Sequence, residues 1–123
     1  MPVRILIADD NHLVRSAIRE ILEQHPGFKV CAEAANGQLA VQMFKECTPD
    51  CVILDFSMPV MNGIDAAREI MRIRPDVPLL LCTMYGSDVV STAAAKAGVK
   101  RIVSKSGNFG DSLVSTIKAL VAN

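Results

Sequence analysis

Asp55 is the residue around which the possible chemistry of this sequence is arranged. It comes directly after the apolar run 51–54, which is typical of a buried strand, and before a loop that contains Pro59, Asn62 and Gly63. A carboxylate in this position is a helix cap, a metal ligand or a nucleophile. Asp55 taken alone does not decide among these three roles.

Polar side chains also follow three of the other predicted strands. Asp9 and Asp10 follow the first strand, Thr83 the fourth and Lys105 the fifth. Because the carboxyl ends of parallel strands meet at one edge of a sheet, we expect these side chains in one crevice with Asp55. Strand two, which would lie outside that crevice, is followed only by alanine and asparagine. This correlation between strand position and side-chain chemistry predicts a functional site.

Each of these residues also has a purely structural interpretation. Asp9, Asp10 or Asn11 could cap the first helix, since Asp and Asn favour that position. Thr83 could be an ordinary strand residue, and Lys105 a solvated surface lysine. A structural role explains any one of these residues easily. It is a far weaker explanation for polar residues at the ends of all four strands together.

Three carboxylates in one pocket repel one another. At about 4 Å and an effective dielectric constant of about 20, each like-charged pair costs on the order of 4 kcal/mol. A divalent cation removes this cost, and an all-oxygen site without Cys or His suits Mg²⁺, which keeps several waters. Lys105 would be a poor ligand for that metal but a good partner for an incoming anion. A pocket with a metal, a cation and a free carboxylate suits transfer of a phosphoryl group onto that carboxylate.

The hydrophobic pattern predicts the elements that position these residues. Apolar runs predict five strands, and residues at helical spacing predict five helices between and after them. The predicted strands are 3–8, 28–34, 51–54, 77–82 and 101–104, and the predicted helices are 12–25, a second ending near 47, 63–74, 90–97 and 109–122. Near-continuous apolar strands that alternate with amphipathic helices indicate a parallel sheet covered on both faces. The expected fold is a three-layer α/β/α doubly wound, flavodoxin-like (βα)5 fold with the common strand order 2-1-3-4-5.

Length and composition are those of one ordinary domain. The chain has 123 residues, half of them hydrophobic, and its 13 basic and 13 acidic residues balance. No net field therefore favours nucleic acid or a membrane surface. No apolar run approaches the ~20 residues of a membrane span, and the first residues lack the pattern of a signal peptide. These observations predict a cytoplasmic domain without direct nucleic-acid or membrane contact.

The four cysteines are expected to be free thiols. Cys31 and Cys82 lie in apolar, strand-like runs, and Cys47 and Cys51 flank a turn. A metal site would need tighter pairing or a nearby histidine. Buried or unreactive thiols of a cytosolic protein are the favoured interpretation.

The spaced polar set resembles that of the receiver domain of two-component response regulators. The resemblance covers residues 1–123 and rests on Asp9-Asp10, on Asp55 with Met58-Pro59 and Gly63, on Thr83 and on Lys105. It implies a CheY-like signalling domain that accepts a phosphoryl group on Asp55 and catalyses only its own phosphorylation and dephosphorylation.

The resemblance also implies a role for each residue of the pocket. Asp10, Asp55 and the backbone carbonyl of Ser57 would ligate Mg²⁺, and Asp9 would act through water. The phosphoryl oxygens would be bound by Lys105 and by the backbone amide of Met84, and Thr83 would be the switch hydroxyl. Ile102 occupies the switch position where receivers often carry Tyr or Phe, and Ser106 follows Lys105 where many have Pro.

The finer pattern is similar to that of receivers from LuxR/NarL-type transcription regulators. The signs are the segment Glu33 to Gly37 after strand two and Thr83-Met84-Tyr85 after strand four. Such receivers usually precede a DNA-binding domain, so the chain is expected to be an excised receiver that regulates transcription through a C-terminal domain. A stand-alone or degenerate receiver that acts as an interaction module is the alternative. A histidine kinase or phosphotransfer protein would dock near helix one, at His12 to Val14, and phosphorylation could promote a homodimer.

Two further classes of protein fit the residues less well. A haloacid dehalogenase-type enzyme also uses an aspartyl nucleophile beside Mg²⁺, but it would need a second carboxylate two residues later, where this chain has Ser57. A flavodoxin-like cofactor binder would need a phosphate-binding loop after strand one, where Asp9 and Asp10 would repel a phosphate.

Overall fold

Five strands and five helices alternate in the part of the chain that the computed structural model describes, residues 2–84 and 86–122. They are β1 (Val3–Ala8), α1 (His12–Glu23), β2 (Phe28–Ala34), α2 (Gly37–Cys47), β3 (Cys51–Asp55), α3 (Gly63–Ile73), β4 (Leu79–Thr83), α4 (Asp88–Lys96), β5 (Arg101–Ser104) and α5 (Phe109–Val121). The strands form one parallel sheet in the order β2-β1-β3-β4-β5. The predicted three-layer doubly wound fold and its strand order are confirmed.

The predicted bounds of the elements agree with the structure at most positions. The bounds of β1, β2 and β5 are those predicted, whereas β4 begins at Leu79, two residues later than expected. Pro78 explains this difference because it has no N–H for the ladder, although its carbonyl accepts a hydrogen bond from Val52. Asp55 and Thr83 are the last residues of their strands rather than the first residues after them. Among the described residues, no helix has the length and apolar character needed to cross a membrane.

The sheet is buried on both faces because helices cover each of them. Leu6 points to the face covered by α2, α3 and α4, where it belongs to one apolar cluster with Phe44 and Ile70. Its neighbour Ile7 points to the face covered by α1 and α5, in a second cluster with Leu113. Full burial of a large aliphatic side chain contributes roughly 1.5–3 kcal/mol. This two-sided burial explains why the strands read as continuous apolar runs rather than alternating ones.

Four of the helices begin at a residue whose side chain caps the first turn. The side-chain oxygens of Asn11, Asn36, Asn62 and Ser87 accept hydrogen bonds from backbone amides of α1, α2, α3 and α4, respectively. Such caps satisfy amides that have no partner within the helix. The carboxylates near the ends of β1 and β3 are therefore not needed as helix caps.

A disulfide joins Cys31 of β2 to Cys47 at the end of α2, with their Cα atoms 6.6 Å apart. The prediction that all four cysteines are free thiols is therefore wrong for this pair. Packing of α2 against β2 brings the two residues together, and their spacing in sequence gives no sign of that contact. Cys51 and Cys82 are free and buried, and burial raises the pKa of each thiol to about 12.

Gly63 allows the loop after β3 to return to the end of that strand. Its amide donates a hydrogen bond to the carbonyl of Phe56 at 3.0 Å. A Cβ at this position would overlap the carbonyl oxygen of Asp55 and would lie 2.8 Å from Cδ1 of Leu81. The backbone can therefore close onto Asp55 only without a side chain at position 63.

We expect Cys47→Ser to reduce stability only under oxidising conditions. A disulfide that closes a loop of about 15 residues stabilises a domain by roughly 3 kcal/mol. Urea unfolding should show a loss of about 2–4 kcal/mol for the variant without reductant and a small difference from the parent in dithiothreitol. Thiol titration of the unfolded parent without reductant should find only Cys51 and Cys82, and four reactive thiols would contradict the disulfide.

We expect Gly63→Ala to lower the free energy of unfolding by about 1–3 kcal/mol, because the loop backbone must move away from Asp55. Gly27→Ala is the matched control, since a Cβ at Gly27 has no atom within 4 Å. The control should change stability by no more than about 0.5 kcal/mol. Equal stability of the two variants in urea unfolding would show that the close approach at Gly63 is not a constraint.

Candidate functional site

A cleft at the carboxyl edge of the sheet brings together most of the residues that the sequence singled out. Its volume is about 450 Å³, and its lining includes Asp10, Asp55, Phe56, Ser57, Thr83, Met84 and Lys105. A second cleft, of about 530 Å³, lies between α3 and α4 near Arg68 and Lys96 and shares none of these residues. The first cleft is therefore the candidate functional site.

Asp9, Asp10 and Asp55 form a cluster of three carboxylates, of which Asp10 and Asp55 line this cleft. One oxygen of each lies within 4.8 Å of one oxygen of each other residue. Asp9 is buried with 2 % of its surface exposed, Asp55 is buried at the end of β3, and Asp10 faces solvent. Two carboxylates of the cluster are therefore buried inside the protein, and the third lies at the mouth of the cleft.

The structural interpretation of these carboxylates as helix caps is excluded by their surroundings. Asn11 caps α1 and Asn62 caps α3. Asp9 does accept a hydrogen bond from the amide of Asn11 through Oδ1, at 2.9 Å, so it also fixes the residue that carries the cap. Its second oxygen, Oδ2, remains directed toward the cleft.

Lys105 lies between the two buried carboxylates. Its Nζ is 2.6 Å from Oδ2 of Asp9 and 2.8 Å from Oδ1 of Asp55, and 13 % of its side chain is exposed. It is therefore not a solvated surface lysine. Burial alone would lower the pKa of the Lys105 ammonium, but hydrogen bonds to Asp55 and Asp9 outweigh burial and raise it. The lysine stays charged and offsets part of the negative charge of the cluster.

The pKa of Asp55 is raised above its ordinary value. Desolvation by burial is the largest cause, the hydrogen bond from Lys105 acts in the opposite direction, and the charge of Asp9 raises the pKa further. Burial and the charge of Asp9 together disfavour ionised Asp55 more than Lys105 favours it. A group that adds positive charge at the cluster would favour the ionised form.

The donor set of the cluster fits a small, hard divalent cation such as Mg²⁺. All of the candidate ligands are oxygens, and among the described residues no His or Cys belongs to the cluster. One oxygen of each carboxylate lies within 4.8 Å of the others, so the three groups are close enough to share one small cation after side-chain adjustment. The open position of Asp10 leaves room for the waters that Mg²⁺ retains.

The remaining residues predicted for the site occupy different positions around it. Thr83 is buried at the end of β4, and its carbonyl accepts a hydrogen bond from the Lys105 amide at 3.0 Å. Ser57 and Met84 line the cleft from exposed positions. Ile102 pairs with Leu81 in the sheet and packs against the apolar cluster, away from the cleft lining.

One residue of the predicted pattern cannot be compared with the structure. Tyr85 follows Thr83 and Met84 in the LuxR/NarL-like segment, and it lies outside the described residues.

Sequence reasoning missed Arg15, which reaches the backbone of the carboxylate cluster. Its Nη1 donates a hydrogen bond to the carbonyl oxygen of Asp9 at 2.7 Å, and its Nε is 3.2 Å from Oε1 of Glu33. An arginine on an amphipathic helix gives no signal of its own in a sequence. Glu33 was the available clue, since a carboxylate within a partly buried strand implies a cationic partner.

Comparisons with known proteins relate this chain to response regulators. The response regulator receiver domain family matches residues 5–118. The chain is 41 % identical over 105 residues to the chemotaxis protein CheY of Thermotoga maritima. The aligned region covers 85 % of this chain and 87 % of that protein. It is 35 % identical over 118 residues to the response regulator UvrY of Escherichia coli, covering 96 % of this chain but only 54 % of that regulator.

Solved structures show the same relationship. The crystal structure of a two-component response regulator of the LuxR family, from an Aurantimonas species, superposes with a TM-score of 0.93 at 34 % identity, covering 99 % of this chain and 86 % of that one. Family match, sequence identity and the shared fold coincide with a carboxylate cluster and a lysine at the carboxyl edge of the sheet. The chain belongs to the response regulator receiver family and is a receiver domain of the two-component type.

Proposed function

We propose that Asp55 accepts a phosphoryl group in a two-component phosphorelay. The observation that carries this proposal is the position of Asp55, which is buried at the end of β3 beside a charged lysine and two further carboxylates, in a cleft open to solvent. A nucleophilic carboxylate, a fixed cation and a cation-binding cluster are the groups that phosphoryl transfer requires.

In the proposed reaction, an oxygen of Asp55 attacks the phosphorus atom of a phosphohistidine. The new O–P bond forms as the N–P bond breaks, and the imidazole nitrogen retains the electron pair of that bond and takes up a proton. Lys105 neutralises a phosphoryl oxygen as the group arrives, since its Nζ is already 2.8 Å from Oδ1 of Asp55. Water that attacks the same phosphorus atom ends the signal and regenerates Asp55.

The carboxylate cluster holds Mg²⁺ in this proposal. Asp10, Asp55 and the backbone carbonyl of Ser57 are the ligands, and Asp9 acts through water. When bound, the metal neutralises charge on the phosphoryl oxygens. Asp9 and Lys105 keep their ion pair, which orients the lysine within the cleft.

The phosphorylated state is read by the end of β4. The Thr83 hydroxyl and the Met84 amide bind the phosphoryl oxygens and draw the loop after β4 toward Asp55. Phosphorylation adds roughly one to two negative charges, which provides the driving force. With Ile102 at the switch position, the signal passes through Thr83 and the loop backbone rather than through a rotating aromatic ring, and it changes the surface of α4, β5 and α5.

The partners follow from the geometry of the cleft mouth. A histidine kinase or phosphotransfer protein docks near the start of α1, where Leu13 is 76 % exposed beside His12 and Val14. The domain comprises residues 1–123, and phosphorylation promotes a homodimer. A cytoplasmic location suits this role.

The output is regulation of transcription through a DNA-binding domain that follows the receiver. The similarity to a LuxR-family regulator supports this proposal, and the chain spans about half the length of the regulator UvrY. The receiver itself makes no direct contact with nucleic acid, since its 13 basic and 13 acidic residues balance.

We expect a small acyl phosphate with Mg²⁺ to add one phosphoryl group to the protein, detected by intact mass. Asp55→Asn should abolish the addition because it removes the nucleophile. Asp65→Asn is the matched control, since Asp65 is an exposed carboxylate of α3 paired with Arg68 outside the cleft. Addition to the Asp55 variant, or none to the parent with acyl phosphate or with a phosphorylated kinase, would overturn the proposal and favour a degenerate receiver.

We expect Asp55→Asn to raise the thermal stability of the metal-free protein at neutral pH. The raised pKa of Asp55 means that the folded state binds this proton more tightly than the unfolded chain does. The protonated Asp55 side chain therefore contributes to stability at pH values below the pKa that it has in the unfolded chain. This contribution is lost as the pH rises through the higher pKa that Asp55 has in the folded protein. The advantage of the variant should shrink on acidification toward about pH 4, near the unperturbed carboxyl pKa.

The same pair of proteins should respond differently to Mg²⁺. At 100 times its dissociation constant, a ligand stabilises the protein that binds it by about 2.7 kcal/mol. Mg²⁺ should therefore raise the melting temperature of the parent more than that of Asp55→Asn. A variant less stable than the parent in EDTA at neutral pH would show that the ion pair with Lys105 outweighs the desolvation of Asp55.

A further inference from the structure

Arg15 connects three segments that meet at the edge of the metal-binding cluster. From α1, its guanidinium donates to the carbonyl oxygen of Asp9 at 2.7 Å and pairs with Glu33 of β2 at 3.2 Å. Only 15 % of the Arg15 side chain is exposed. The planar guanidinium makes both interactions at once because its donors diverge in fixed directions.

The carbonyl that Arg15 binds is part of the peptide between the two acidic residues that follow β1. Fixing that oxygen restrains the plane of the Asp9–Asp10 peptide, which is one of the two peptide planes that together set the direction in which the side chain of Asp10 leaves the backbone. The Asp9 side chain is fixed separately, by the amide of Asn11 and by Lys105. Asp10 is the exposed member of the cluster. It lies between the peptide whose carbonyl Arg15 binds and the next peptide, whose N–H, on Asn11, donates to Oδ1 of Asp9.

Glu33 holds Arg15 in place but also pairs with a second arginine. Its Oε2 is 2.8 Å from Nε of Arg19, which pairs in turn with Glu23 at 3.9 Å. Arg19 is one helical turn beyond Arg15 and has no contact with Asp9 among the hydrogen bonds of the described residues. The two arginines thus share one carboxylate, and only Arg15 extends the network to the cluster.

We propose that Arg15, oriented by Glu33, is a positioning residue for the divalent cation of the cluster. It acts through the Asp9–Asp10 peptide and does not touch the cation or the phosphoryl group. This inference rests on the proposed function only in its assignment of Asp10 as a metal ligand. Outer interactions that orient metal ligands typically change metal affinity by 10–100-fold when removed.

Electrostatics and positioning predict opposite effects for the loss of Arg15. Removing a positive charge near a cation site favours binding of the cation by Coulomb attraction alone. If the Asp9–Asp10 peptide is no longer held, Mg²⁺ binding becomes weaker. Asp10 must then lose conformational freedom when the ion binds, and this loss reduces the binding free energy. The sign of the change in Mg²⁺ affinity therefore separates the two explanations.

The test is calorimetric titration of the unphosphorylated protein with MgCl2. We expect Arg15→Ala to raise the dissociation constant for Mg²⁺ by about tenfold, at the lower end of the range for outer interactions. Arg15→Lys keeps one donor and should recover part of the affinity, since an ammonium can reach Asp9 or Glu33 but lacks the guanidinium fork. An unchanged or lower dissociation constant in Arg15→Ala would overturn the inference.

Arg19→Ala is the matched control because it removes a cation and an ion pair of the same Glu33 without touching Asp9. We expect its dissociation constant for Mg²⁺ to stay within about twofold of the parent, and a loss equal to that of Arg15→Ala would overturn the inference. Glu33→Gln removes the charge that anchors Arg15 and should give an intermediate loss. Thermal unfolding checks that each variant is folded. If Arg15→Ala is not, Arg15→Lys carries the test, because it keeps the charge and any loss of Mg²⁺ affinity must then come from the lost guanidinium contacts.

Phosphorylation by a small acyl phosphate separates this inference from the proposed function. At saturating Mg²⁺ the rate for Arg15→Ala should approach that of the parent, whereas at low Mg²⁺ it should fall. A rate that stays low at saturating Mg²⁺ would show a role beyond metal positioning and would overturn the inference. A parent protein that binds Mg²⁺ but is never phosphorylated would refute the proposed function. The calorimetric titration would still decide whether Arg15 positions the cation.

Discussion

Repulsion among three carboxylates at the end of a buried sheet is the constraint on which this site depends. Lys105 reduces the repulsion by pairing with Asp9 and Asp55 together, at 2.6 and 2.8 Å. One lysine cannot neutralise three carboxylates. Burial, with a further contribution from the charge of Asp9, raises the pKa of Asp55 despite the hydrogen bond from Lys105. A divalent cation bound at the cluster would supply further positive charge and would favour the ionised form of Asp55.

The fold makes this concentration of charge possible because the clustered carboxylates are not needed for helix capping or for the core. Asparagine or serine side chains cap the first four helices, so the cluster carboxylates are not required for the helix starts. Parallel pairing brings the ends of β1, β3 and β4 to one edge, because adjacent strands run in the same direction. Apolar clusters on both faces hold the strands, so the polar residues at that edge contribute little to the core and are available for chemistry.

The sequence predicts the fold and the members of the cluster well because both depend on local patterns. Apolar runs separated by amphipathic helices indicate the strands, and a polar residue at the end of each central strand indicates the edge at which they meet. Pro78 shifts the start of β4, an effect of one missing N–H that a hydrophobic pattern does not register. The Cys31–Cys47 disulfide and the contact of Arg15 with Asp9 depend on the distance between separate elements, and the spacing of residues in the chain does not encode that distance.

Backbone hydrogen bonds hold the wall of the cleft that follows β3. The loop after β3 is tied to the end of that strand by the amide of Gly63 and to the start of α2 by a hydrogen bond from Gly37 to Met61, at 3.0 Å. Between these points the Met61 amide donates to Pro59 across Val60, which has a φ of +69°. A β-branched residue in that conformation costs about 1–3 kcal/mol, so the surrounding bonds must impose it.

The opposite wall, at the end of β4, has a different character. Beyond the buried Thr83, whose carbonyl accepts from the Lys105 amide, the chain continues into Met84, which is 55 % exposed. If the Ser57 carbonyl is a metal ligand, as proposed, a firmly held loop after β3 would keep that ligand in place, because Mg²⁺ tolerates little departure from its preferred geometry. Under the proposed function, new charge on Asp55 would act on the end of β4, where Met84 is exposed beside the cleft. We therefore infer that the response to phosphorylation starts at Thr83 and Met84 rather than at Ser57.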